Sequence, residues 1–117
     1  MPDNKNNAAQ YMHVITIQKK TKIKDPRTGE ITYDWINHLT DIRANVHFLS
    51  ASERIAASAM QTKITARIQI RYRTDDIDSS MRIVHKNKYY DIHGVIPDNE
   101  NGMKWLTMPV SEGVISE

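Results

Sequence analysis

The chain of 117 residues contains no cysteine. That excludes disulfides, thiolate metal sites and cysteine nucleophiles, and it fits a reducing compartment. No apolar run approaches the ~20 residues needed to span a bilayer. The N-terminal MPDNKNNAAQYM has no apolar signal core, so the expectation is a soluble, intracellular protein. An excess of one charge is also missing: 16 Lys and Arg stand against 14 Asp and Glu, a net of +2. A protein that coats DNA carries a larger, clustered basic excess, so composition does not argue for that role. No G-x-S-x-G, H-E-x-x-H, P-loop or G-x-G-x-x-G pattern occurs. Hydrophobic content of 39% is slightly low for a globular domain. A chain of this length supports one domain with one core. Thin cores with polar ends suit proteins that complete their structure in an assembly.

What is present is mostly strand pattern. Residues 1–12 read as a flexible arm, 13–110 as a single domain and 111–117 as a loose tail. His13 to Lys24 favours strand, with Ile15, Ile17 and Ile23 on one parity. DPRTGE, Asp25 to Glu30, is a loop joining it to ITYDWI as a hairpin. From Leu39 to Leu49 the residues Ile42, Ala44, Val46 and Phe48 alternate with polar ones. The period then changes: Ser50 and Glu53 form a capping box, and Ile55, Ala56, Ala59 and Met60 recur at helical spacing. Thr62 to Arg73 alternates strictly, with Ile64, Ile68, Ile70 and Tyr72 on the apolar side. Met81 to Lys86 and Tyr89 to Pro97 are strands turning at Asn87-Lys88. DNENG is a further turn, and Met103 to Val110 is a last strand. The expected fold is mainly β: a small antiparallel barrel or sandwich of six to seven strands with one short helix. The predicted core is Ile42, Val46, Ile64, Ile68, Ile70, Tyr72, Ile83, Ile92 and Trp105.

His85, His93 and Asp91 lie close together in sequence and invite a metal or catalytic reading. Register argues against it. With a turn at Asn87-Lys88, His85 pairs with Tyr90 and Arg82 with His93. Ile83, Ile92, His85, Tyr90, Met81 and Ile96 then share the core face, and Arg82, Val84, Lys86, Tyr89, Asp91 and His93 the outer one. The two histidines cannot chelate one ion. Asp75, Asp76 and Asp78 lack the glycine and distal glutamate of an EF-hand loop and read as a turn. Lys63, Arg67, Arg71 and Arg73 form a basic face able to track phosphates, but no exposed aromatics are interleaved. Trp35 and Trp105 are apolar anchors. The alanine-rich helix packs either on a neighbouring subunit or on its own barrel. No catalytic residue, cofactor or metal ligand emerges, and an enzyme is not expected.

One run adds to this reading: ITARIQIRYRTDDIDSSMRIVHKNKYYDIHGVIPDNENGMKWLTM. It has Arg71-Tyr72-Arg73, then Ile77-Asp78, then Met81-Arg82-Ile83, the basic turn Lys86-Asn87-Lys88, Tyr90 to Val95 and Pro97-Asp98. Leu49-Ser50 with Glu53 lies upstream. The order and spacing resemble the head–tail joining proteins of long-tailed phages, also called head-completion or head-closure proteins. The match runs from about His13 to Val110. Asn87 stands where the family commonly has glycine, and the proline often found before the Leu-Ser segment is missing.

The resemblance implies a structural virion protein without catalysis or cofactor. It implies a ring, twelvefold on the connector, that docks beneath the portal and adaptor after DNA packaging. Such a ring closes the DNA exit channel and presents a docking surface for tail-completion or tail-tube proteins. Packaged DNA passes through it, no membrane is involved, and the protein moves from host cytoplasm to virion. Phe48, Ser50, Glu53, Arg54, Ile55, Ala56, Ala59 and Met60 are the candidate subunit or lumen contacts. A tail-completion or terminator protein and an OB-like nucleic-acid-binding module are the alternatives.

Overall fold

The computed structural model describes residues 12–59 and 63–113. The arm expected at 1–12 lies outside them except for Met12, as do Met60 and the last four residues. Seven antiparallel strands and one helix follow in the order β1 (His13–Lys24), β2 (Ile31–Phe48), α1 (Ala51–Ala59), β3 (Ala66–Arg71), β4 (Arg82–His85), β5 (Lys88–Ile92), β6 (Ile96–Pro97) and β7 (Trp105–Glu112). Their hydrogen-bonded order is β3-β2-β1-β4-β5-β7-β6, and β3 also pairs with β7. The sheet therefore closes on itself. β5 and β6 share the edge of β7 that β3 leaves open. Closure removes most free edges, which small antiparallel sheets must otherwise protect.

Strand alternation places the core inside the ring. Ile15, Ile17, Ile42, Ala44, Ala66, Ile68, Ile70, Met81, Ile83, Tyr90, Ile92, Leu106, Met108 and Val110 are buried together. Val46 is partly buried and packs against this cluster. Two expected core residues lie elsewhere. Tyr72 is 38% exposed, because β3 ends at Arg71 and the alternation no longer aims inward. Trp105 is only half-buried, because Leu106, Met108 and Val110 take the inward parity of β7. Ile64 precedes β3 and is half-buried. Ile96, expected on the core face, is exposed. Ser111 and Glu112, expected in a loose tail, belong to β7 and pair with Asp91 and Tyr90.

Two strands predicted on either side of Asn37 are one. β2 passes two successive bulges opposite Ile15 to Gln18, and within them Asp41 adopts a left-handed φ of 55°. Bulges bend and twist a strand without ending it. Beyond Gln18 and Asn37 the two strands pair, among the described residues, only with each other, from Lys19↔Ile36 to Lys24↔Ile31. This part is a free two-stranded ribbon about 20 Å long. The DPRTGE loop closes it as expected: Asp25 Oδ1 accepts the Arg27 N–H, and Gly29 takes φ 76°.

The turn between β4 and β5 also differs. Its central residues are Lys86 and Asn87, with φ of 51° and 66°, and His85 pairs with Lys88. Both angles are positive, as a type I′ hairpin turn requires. Moving the turn by one residue moves the pairing by two, so the faces are kept. Ile83, His85, Tyr90, Ile92 and Met81 are buried, and His93 is exposed.

Asp98 explains the DNENG turn. Its carboxylate accepts N–H bonds from Glu100, Asn101, Gly102 and Lys104 at 2.7–3.2 Å. Burial alone would raise this carboxyl, but the four N–H groups outweigh it and hold its pKa at about 2 instead of 3.8. A depressed folded-state pKa stabilises the fold above the unfolded value and loses that stability as pH falls through about 2. Asp98→Asn is therefore expected to lower the melting temperature by several degrees at neutral pH. The deficit should shrink as pH falls from about 4 toward 2. Thermal melts of both proteins across that range check it; a deficit independent of pH would refute the carboxylate's role.

Candidate assembly surface

Local chemistry builds α1 as the capping box predicts. Glu53 N–H donates to Ser50 Oγ at 3.3 Å, and Ser50 N–H donates to Glu53 Oε1 at 2.9 Å. The Ser50 backbone N–H first, and then the Ser50 side chain, hold the Glu53 carboxyl below its ordinary pKa. Glu53 also reaches His47 on β2 at 3.7 Å and Arg67 on β3 at 3.8 Å, tying the helix start to the barrel wall. Just before it, Leu49 is buried and its N–H bonds the Thr65 carbonyl.

The rest of the helix adds no residue to the core cluster. No residue of α1 is buried. Ile55 is 71% exposed and Phe48 57%, and Ser50, Arg54, Ala56 and Ala59 are exposed too. An open cleft of about 640 Å³ separates the helix from the barrel, lined by Leu49, Ala56, Ala57, Ile64, Ile96 and Pro109 among others. A helix of small residues that buries nothing of its own is poorly placed to stabilise its own barrel.

The basic face on β3 is less available than its pattern suggests. Arg67 meets Glu53, and Arg73 Nε donates to Asp75 at 2.8 Å. Lys63 and Arg71 are exposed. The aspartates form turns: Asp78 Oδ1 accepts from the Ser80 backbone and hydroxyl, and the Asp76 carbonyl meets His38 Nε2. Among the described residues no group of three or more His, Cys, Asp and Glu is placed to hold a metal ion.

The histidines part as the faces dictate. His93 Nε2 lies 2.8 Å from Ser111 Oγ, and not across from Arg82 as expected, because Arg82 pairs with Asp91. His85 is buried and meets the His13 ring edge-on at 5.0 Å. Burial first, then His13, keeps its pKa below the ordinary value.

One arrangement has no short-range signal. Arg82 is 8% exposed although it belongs to the outward parity. Its guanidinium lies 4.2 Å from the Trp35 ring and 3.9 Å from the Tyr89 ring, and its Nε donates to Gln18 Oε1 at 2.8 Å. It clamps the root of the ribbon to the barrel wall. No helix among the described residues is long and apolar enough to cross a membrane.

Solved structures share this architecture. A Shigella flexneri 2a protein, known from its solution structure, is 30% identical over 94% of this chain and 99% of its own, with a TM-score of 0.74. A chain from the virion of a native gene transfer agent particle is 18% identical over 87% of this chain and 94% of its own, with a TM-score of 0.57, and shows the fold alone. No curated protein matches the chain. The family model described as phage head completion protein matches residues 7–113, which spans the closed sheet, the ribbon and α1, and the chain therefore belongs to the phage head completion protein family.

Proposed function

We propose that this head completion protein acts as a structural part of the head–tail connector, assembling as a ring beneath the portal and adaptor once DNA is packaged. In this reading it closes the DNA exit channel and offers the tail its docking surface. The observation that carries the reading is the family match along residues 7–113. Two features support it. The gene transfer agent chain of the same fold comes from a virion. Helix α1, with Phe48 beside it, presents small and apolar side chains that no part of its own core covers. The segment from Phe48 through Met60 is then a subunit or lumen contact. The rival nucleic-acid module on β3 is weakened by the carboxylates facing Arg67 and Arg73.

Binding of the purified protein to DNA-filled, tailless heads that carry portal and adaptor tests this, imaged by electron microscopy. A new ring under the connector with DNA retained is the expected result. Binding to purified tails alone would move the protein to the tail side of the joint. Binding to neither would overturn the assembly reading. Ala56→Trp and Ala59→Trp are expected to fold normally and to reduce ring formation at least tenfold. Normal assembly and DNA retention by both would remove α1 from the contact.

A further inference from the structure

The ribbon has two unlike faces. Cross-strand pairing sets Lys20 against Trp35, Lys22 against Tyr33 and Lys24 against Ile31 on one of them. The other carries Lys19, Thr21, Ile23, Thr32, Asp34 and Ile36. On the first face the three lysines are exposed and Tyr33 is 61% exposed. Lys20 Nζ lies 5.4 Å from the Tyr33 ring and 6.0 Å from the Trp35 ring. Lys22 and Lys24 have no ion-pair partner among the described residues. The clamped Arg82 continues the row at the root. Acid is sparse here. Asp91 pairs with Arg82 on the barrel wall, Asp25 and Glu30 sit at the tip, and Asp34 is on the opposite face.

Alternate residues of a strand repeat at about 7 Å, comparable with the separation of successive phosphates along a nucleic-acid strand. A row of cations at that repeat, with an exposed aromatic between them, is how extended nucleic acid is held without sequence preference. We propose that the Lys20-Lys22-Lys24 face of the ribbon, with Tyr33, binds nucleic acid through its phosphodiester backbone. The partner is chosen by charge complementarity. The stripe around β3 carries four basic residues to the ribbon face's three but spends Arg67 and Arg73 on carboxylates, whereas Lys22 and Lys24 of the ribbon meet none among the described residues. This inference stands apart from the connector reading, and its failure would leave the head-binding experiment unaffected.

The test is fluorescence anisotropy of the full chain with a labelled oligonucleotide, single-stranded and as a duplex, across a salt titration. Binding is expected, with log affinity falling against log salt at a slope of about −2 to −3 for three neutralised phosphates. Lys22→Glu with Lys24→Glu should abolish binding at every salt concentration while leaving the melting temperature within a degree or two. Lys22→Arg with Lys24→Arg should restore it. Tyr33→Ala should weaken the single strand more than the duplex. The proposal is overturned by no binding at low salt, by salt-independent binding, or by loss in Lys63→Glu with Arg71→Glu and not in the ribbon variant. It is also overturned if the ribbon variant changes only self-association by sedimentation, since the face would then serve a second copy of the chain.

Discussion

Ile68→Ala is expected to lower the unfolding free energy by about 3 kcal/mol, within the range of about 2–5 for a buried isoleucine cut to alanine. Ile68 is fully buried and stands where the sheet closes, between Val46 of β2 and Met108 of β7. A site fixed on both sides by strand pairing cannot collapse into the lost volume, so the cavity cost adds to the lost transfer energy. Against a total of about 5–15 kcal/mol for a domain, this is a large fraction. Urea unfolding should show a lower midpoint at unchanged slope. Ile55→Ala, on the exposed helix, is the control and should change stability by under about 0.5 kcal/mol. A cost near the control's for Ile68→Ala would mean that the β3–β7 closure is loose.

Arg82→Ala is expected to cost about 2–3 kcal/mol. Two ring contacts contribute about 0.5–2 kcal/mol each, and a hydrogen bond from a charged donor about 1.5–3. The sum is not reached, because removing the cation also relieves its desolvation. That desolvation is the main reason its pKa lies below the ordinary arginine value, with Tyr89 and Asp91 opposing. Arg82→Lys should recover only part of the loss, since an ammonium lacks the planar stacking surface. Amides of the ribbon, Lys19 to Lys24 and Ile31 to Ile36, should lose more protection in Arg82→Ala than those of β3, which should fall only by the loss in global stability. A double-mutant cycle with Trp35→Ala should give a coupling of about 1 kcal/mol. Additive losses would show that the guanidinium and the indole are neighbours without interaction.

How far the sequence could be read depended on the range of the signal. The capping box at Ser50 and Glu53 is a contact three residues long, and it was legible. The faces of β4 and β5 were also legible, although their turn was not. Parity survives a pairing shift of two, whereas the turn rests on Lys86 accepting a left-handed φ that lysine gives no sign of. β2 looked like two strands because each bulge reverses the inside–outside phase, and the two between Asn37 and Ile42 mimic a break near Asn37. The ribbon's hairpin was legible, but its standing free of the sheet was not, for another reason. Ile23, Ile31, Tyr33 and Ile36 have the composition of strand interiors, and composition does not say whether a neighbour exists to cover them. The Arg82 clamp draws Gln18, Trp35 and Tyr89 from three strands, and no local pattern announces a contact assembled that way.

The unpaired ribbon also bears on solubility. Both outer edges of Lys19–Lys24 and Ile31–Ile36 carry backbone groups that no other strand of the described residues satisfies. TYDWI is rich in residues that favour strands, and such an edge is a template for joining another copy of itself. Lysines on the partnering strand are what natural sheets use to keep such edges apart. The row of Lys20, Lys22 and Lys24 is therefore expected to act as a gatekeeper against such joining. Any condition that neutralises the row without occupying the ribbon, such as acetylation of those amines, should turn a dispersed protein into one that grows by edge-to-edge strand addition.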